Sequence, residues 1–182
     1  YAEGKPVISD LPLPKEYSNI TAALRTSLQK KEDHLYGCRF IASLFEYWQY
    51  YGMIKRASSW VEEFEGSIHG IKDPLLRVFV CIMCGWIYQF IFDFEKTAFF
   101  FGDALQVSTR HRLTGARAMA LTGLGNMWAL SATNLEQAEQ FLLEARDLYQ
   151  NIDAGRQKNV ALLALATVYM FTDEYKKADE LL

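Results

Sequence analysis

Proline is nearly missing from this chain. Four occur in 182 residues, and Pro6, Pro12 and Pro14 are crowded at the start. Proline removes a backbone donor and clashes with the preceding helical turn, so its scarcity after Pro14 leaves room for long helices. Cysteine is also scarce. The three thiols, Cys38, Cys81 and Cys84, are odd in number and lie in apolar stretches, which argues against a disulfide framework and for a reducing, cytoplasmic setting. A basic excess is lacking: the net charge is -3 and the pI about 5.7, so a direct nucleic-acid partner is not expected. The chain has no secretory signal and no glycine-rich loop ending in Gly-Lys-Ser/Thr. Its most apolar run, Pro74 to Phe92, is interrupted by Arg77 and Gln89. It therefore reads as a buried helix rather than a membrane span.

What the chain does have is apolar material, 51% of its residues, arranged with a long period. Cys84-Gly85-Trp86-Ile87-Tyr88, Leu124-Gly125-Asn126-Met127-Trp128 and Leu165-Ala166-Thr167-Val168-Tyr169 each read apolar, small, any, apolar, aromatic. Gly85 and Gly125 are 40 residues apart, Gly125 and Ala166 are 41 apart, and Trp48 stands 40 residues before Tyr88. Acidic-aromatic pairs, Asp93-Phe94 and Glu174-Tyr175, mark turns, and small residues follow them: Ala57, Ala98, Ala104, Ala138, Ala145 and Ala178. A period of this size is the mark of a repeat array, in which one helical pair cannot bury its apolar stripe until the next pair stacks on it.

The expected elements are an extended segment over 1–12, a helix over 13–31, and helix pairs over 34–68, 73–110, 113–151 and 154–182, the last one unfinished. The absence of an initial Met and this unfinished pattern suggest a piece of a longer protein. Gly52 should end a helix. Asp73-Pro74 should start one, with Asp as cap and Pro in the first turn. Asn134 and Asp153 also fit caps. The turn at Ser131–Asn134 is expected to hold the residue that stretches the period from 40 to 41.

These positions resemble the tetratricopeptide consensus, with a period nearer 40 than 34 residues. The fold class so implied is all-α, an α-α superhelix built as a right-handed solenoid of helical hairpins. The longer repeat resembles the sensor region of bacterial signal-transduction ATPases, large regulators with a nucleotide-binding core and a winged-helix element. The N-terminal Glu16-Tyr17-Ser18-Asn19-Ile20-Thr21-Ala22-Ala23-Leu24, the aromatic-rich Phe45-Glu46-Tyr47-Trp48-Gln49-Tyr50-Tyr51-Gly52, and Trp60 after Ala57 carry that likeness. It implies a non-catalytic sensor or interaction module that needs no cofactor and binds a protein, a peptide or a small inducer. The rival reading is a purely structural scaffold that holds neighbouring domains or self-associates into a homo-oligomer.

Candidate sites follow from this frame. Cys81 and Cys84 form C-x-x-C, but within Phe79–Gly85 the surroundings are apolar, so both read as core rather than as metal or redox ligands. His34, His69 and His111 are far apart and near helix ends, with no partner spaced for a triad. Arg110, His111, Arg112 and Arg117 suit a helix C-terminus; an anion or acidic-peptide site is the alternative. Phe99-Phe100-Phe101 spans about 200° of a helix, so at least one ring should leave its own pair. With Gly85 and Gly125 buried, the residues six and three before and one and four after them should line a groove. These are Phe79, Ile82, Trp86 and Gln89, then Met119, Thr122, Asn126 and Ala129, preceded by Arg39, Ala42, Glu46 and Gln49 in the first pair. Trp86 is expected to be partly exposed because Gln89 shares its face and should meet water. Amides beside an aromatic suit an extended peptide.

Overall fold

The structure, a computed structural model, describes residues 13–30, 33–150, 152 and 155–181. The expected extended segment over 1–12 and the proposed cap Asp153 lie outside these residues. Among the described residues there are helices and turns and no strand. In order, the helices are α1 (Leu13–Gln29), α2 (His34–Ser43), α3 (Phe45–Tyr50), α4 (Ile54–His69), α5 (Pro74–Phe90), α6 (Phe94–Arg110), α7 (Thr114–Ser131), α8 (Leu135–Tyr149), α9 (Gly155–Phe171) and α10 (Tyr175–Asp179). They form two compact units, divided between Gly70 and Ile71.

In the first unit α2 packs on α1 and α4, and α3 on α4. The helix expected as one piece over 34–52 is broken at Leu44. The Trp48 indole N–H donates to the Ile41 carbonyl at 3.2 Å and is fully buried, so that carbonyl, which also accepts from the Leu44 amide, gains a side-chain partner where the helix is interrupted. His34 joins three helices. Its Nε2 donates to the Leu28 carbonyl (3.1 Å), which leaves Nδ1 to accept from the Ser67 hydroxyl (2.6 Å). A carbonyl can only accept, so this pair of bonds fixes the tautomer. Gly37 is needed beneath Phe64: a Cβ there would come within 2.3 Å of the ring.

The second unit is built from the pairs α5–α6, α7–α8 and α9–α10. Each second helix also packs on the following first helix, and α5 touches α7 as α7 touches α9. The turns inside the pairs repeat one geometry. Phe92, Ala132 and Asp173 have φ of 60°, 50° and 61°, and Gly52 in the first unit has 65°. They stand 40, 40 and 41 residues apart, counting from Gly52. A residue in this left-handed conformation lets the chain turn back on its last carbonyls. The Asp93 and Glu174 amides bond to the carbonyls of Tyr88 and Tyr169, as Met53 does to Trp48. Asp93 then caps α6 through Lys96 N–H at 3.0 Å, and Asn134 caps α8 through Gln137 N–H at 3.1 Å. Asp93 follows its left-handed residue directly, whereas Thr133 intervenes before Asn134. Thr133 is thus the extra residue of the longer period. Asp73 caps α5 through Leu76 N–H at 2.7 Å, with Pro74 in the first turn.

Between the turns, bulky residues of second helices sit on glycines of first helices. Phe101 lies against Gly85 of its own pair and Gly123 of the next, where an added Cβ would approach the ring to 2.9 and 2.3 Å. Leu142, 41 residues after Phe101, lies against Gly125, where a Cβ would come within 2.5 Å of its Cγ. Phe101 and Leu142 are both fully buried. Phe100 is buried as well and stacks on Tyr88 (centroids 5.6 Å, interplanar 8°), while Phe99 is exposed. One ring of the triple therefore leaves its pair's core, and another reaches the neighbouring pair.

Two outcomes are expected. Gly125→Leu should destabilise the chain by about 1–3 kcal/mol or more through overpacking, seen as a lower urea midpoint. Ala132→Gly should do the opposite. It removes an L residue from a left-handed position at the cost of extra freedom in the unfolded chain, for a net gain of about 0.5–1 kcal/mol; an unchanged or lower midpoint would contradict the strain assigned to that turn.

Candidate interaction surface

The first helices of the second unit bury one side and bare another, and the division repeats with the period of the sequence. Counting from Gly85, Gly125 and Ala166, the residues at minus six, plus one and plus five reach solvent. On α5 these are Phe79, Trp86 and Phe90; on α7, Met119, Asn126 and Leu130; on α9, Val160, Thr167 and Phe171. Phe90, Leu130 and Phe171 are each about half exposed (47%, 48% and 55%). Trp86 is half-buried, its ring edge-on to Phe101 at 5.2 Å between centroids. Leu75, one turn before Phe79, extends the α5 stripe.

This face differs from the one expected. Ile82 (2% exposed), Gln89 (4%) and Thr122 (2%) are buried, as are Ala42 and Ala129. Residues three before and four after the glycine lie only about 60° and 40° around the helix from it, still inside the helix packing, whereas minus six, plus one and plus five lie about 100–140° away. Thr122 donates back to the Ala118 carbonyl at 2.8 Å and lies 3.4 Å from the Tyr149 hydroxyl. Gln89 does not mark a wet stripe, and Trp86 reaches solvent through its own position about 100° around the helix from Gly85. In the first unit, Arg39, Glu46 and Gln49 are exposed. The plus-five residues were missed, although their signal was in the sequence: a large apolar residue recurs at 90, 130 and 171, just before each left-handed turn.

On α5 and α7 charge is kept off this face by a second repeated device. The one charged residue of α5 is Arg77, and that of α7 is Arg117. Arg77 makes a two-point contact with Asp103 on α6 (Nε–Oδ2 2.9 Å, Nη2–Oδ1 2.7 Å). Arg117 pairs with Glu144 on α8. Both partners repeat, at 40 and 41 residues. The Asp103 bond holds the Arg77 guanidinium above its ordinary range. Arg117 is thereby separated in role from Arg110, His111 and Arg112, which are exposed at the end of α6.

The C-x-x-C thiols are buried and unbridged. Cys81 donates to Asp103 at 3.2 Å, and burial, with the Asp103 charge beside it, pushes its thiol well above the ordinary range. Burial also raises Cys38, to about 11. Such thiols are poor nucleophiles.

No family model and no curated protein matches this sequence. Solved structures do. BtubC (BKLC) from P. vanneervenii superposes with a TM-score of 0.71 at 18% identity, over 94% of this chain and 71% of that one. A chain described as a kinesin light chain with nearly identical TPR-like repeats, from Podosopora anserina, gives 0.61 at 12% identity over 92% and 91%. The fold is thus an all-α array of tetratricopeptide-like hairpins, of the α-α superhelix class.

Cys38, Cys81 and Cys84 should resist a thiol reagent such as Ellman's in the native protein and react together on unfolding in urea. Rapid native labelling of Cys81 would contradict its place under Asp103.

Proposed function

We infer that this chain is a non-catalytic interaction module, and that the exposed stripe on α5, α7 and α9 is its binding surface. The observation that carries this reading is the recurrence of solvent-facing apolar residues at two equivalent positions, minus six and plus five, of three successive first helices. Scattered surface apolar residues are ordinary, but a contiguous set is costly in water unless something covers it. Phe79, Trp86, Phe90 and Leu130 supply the anchors, since large side chains account for most binding energy at interfaces. The amide of Asn126 adds the polar contact.

The larger setting is read from the sequence likeness alone. Residues 16–24 and 45–52 support a sensor region of a cytoplasmic signal-transduction ATPase; a phosphate-binding loop upstream in the full-length sequence would test it. A passive or self-associating scaffold is the other reading, for which the same exposed stripe would be the seat.

Phe79→Asp with Leu130→Asp should leave the melting temperature within a few degrees and lower affinity for a cognate partner at least tenfold, measured by calorimetry. Full affinity in the folded double variant would remove this face from the binding surface.

A further inference from the structure

We propose that the side of α9 bearing Leu163 and Met170 is the seat of one more first helix, supplied by a fourth hairpin of the second unit that this chain carries beyond Leu182. This is a different side of α9 from the stripe, and its occupant does not depend on the stripe being a binding surface.

The seat is defined by what covers the same positions one and two periods earlier. The small residue of a first helix, Gly85 or Gly125, faces the second helix of its own pair at Phe101 or Leu142. Gly123, about 160° around the helix from Gly125, faces Phe101 of the preceding pair. The stripe lies between these two directions. Residues three before and four after the small residue stand about 60° and 40° from it, between its own second helix and the stripe. That sector is left for the following first helix, and α5 meets α7 as α7 meets α9. Within it Ile82 and Gln89 of α5 and Thr122 and Ala129 of α7 are all buried. On α9 the same two positions hold Leu163 and Met170, which are 60% and 57% exposed.

Met170 isolates the cause. It lies beside the turn into α10, which already packs on α9, so the second helix of its own pair is in place there and leaves it bare. At Thr122, by contrast, Tyr149 late in α8 also approaches. The cations of α9 do not oppose a stacked helix. Lys158 is eight residues before Ala166, in the register of Arg77 and Arg117. Those two lie about 80° the other way around the helix, toward carboxylates on their own second helices. Arg156, in the register of Leu75 and Gly115, is about two turns before Leu163. Asn159 is exposed where Val78 and Ala118 are buried, and calls for a polar residue on the incoming helix.

The register specifies the missing segment further. Gly123 and Ala164 are buried where the preceding second helix presses, so the incoming helix should carry glycine or alanine 40 or 41 residues after Ala164. Asp103 and Glu144 stand ten residues after Asp93 and Asn134, so a carboxylate for Lys158 should stand ten residues after Glu174.

The coding sequence beyond Leu182 should show both features. In the full-length protein, Met170→Cys should react with a maleimide about tenfold more slowly than in a chain cut at the end of the completed α10, and equally slowly whether dilute or concentrated. The unsubstituted protein, whose three thiols are buried, gives the baseline. Should the cut chain fail to fold by circular dichroism, the full-length protein alone decides: Leu163→Gln should lower its urea midpoint, whereas Val160→Gln on the stripe should leave it unchanged. A gene that stops at Leu182 would overturn this assignment. So would equal labelling in the two lengths, which would leave the seat open or covered by α10 alone. Protection that appears only on concentration would put a second copy there instead, and an unchanged midpoint for Leu163→Gln would show the seat to be bare. None of these outcomes bears on Phe79→Asp/Leu130→Asp.

Discussion

Phe101 lies where two first helices and one second helix come together, and the second unit is arranged around the room it needs. Its ring occupies the space that side chains on Gly85 and Gly123 would fill, and its edge supports Trp86. One aromatic therefore ties a pair to itself, joins it to the next, and sets the orientation of the tryptophan on the outer face. Leu142 on Gly125 repeats the arrangement one period later with an aliphatic residue. Close approach of this kind fixes helix spacing, because a packed interior has few intermediate arrangements.

With the spacing set, polar groups are distributed by one rule. Two of the first helices, α5 and α7, carry one charge each, and it is paired within the hairpin. Asp103 illustrates the economy: it closes the bidentate contact with Arg77 and also accepts from Cys81. A carboxylate that is mostly buried needs such partners, since burial of an unpaired charge is strongly destabilising. The part of the outer face on α5 and α7 is left uncharged as a result.

The helices were readable from the sequence because their signals are local and redundant. Asp73 before Pro74, Asn134, Gly52 and the 40-residue recurrence of small and aromatic residues each point to the same boundaries. The break at Leu44 was not readable, since no proline or glycine stands there and the Trp48 indole contact with the Ile41 carbonyl is a tertiary feature. Nor was the role of Gly123, two residues from the glycine that carries the repeat motif, because only Phe101 of the preceding pair explains it. The outer face was half legible. Phe79, Trp86, Met119 and Asn126 are on it, while Ile82, Gln89 and Thr122 are not. The difference is angular: packing covers about 60° to that side of the glycine, more than the short side chain there suggests. Polarity is a poor guide at Gln89, whose amide is buried among the helices.

The two arginine–carboxylate pairs, Arg77 with Asp103 and Arg117 with Glu144, have a consequence for how such a chain can change over generations. Each pair closes inside one hairpin. Excising a whole hairpin, or copying one, takes cation and anion together and creates no orphaned charge. Residue-by-residue drift enjoys no such protection, because losing Arg77 alone takes the two-point contact away from Asp103. Gene rearrangement in steps of one repeat is therefore electrostatically gentler than point substitution at these sites, and array length is a property on which selection can act freely.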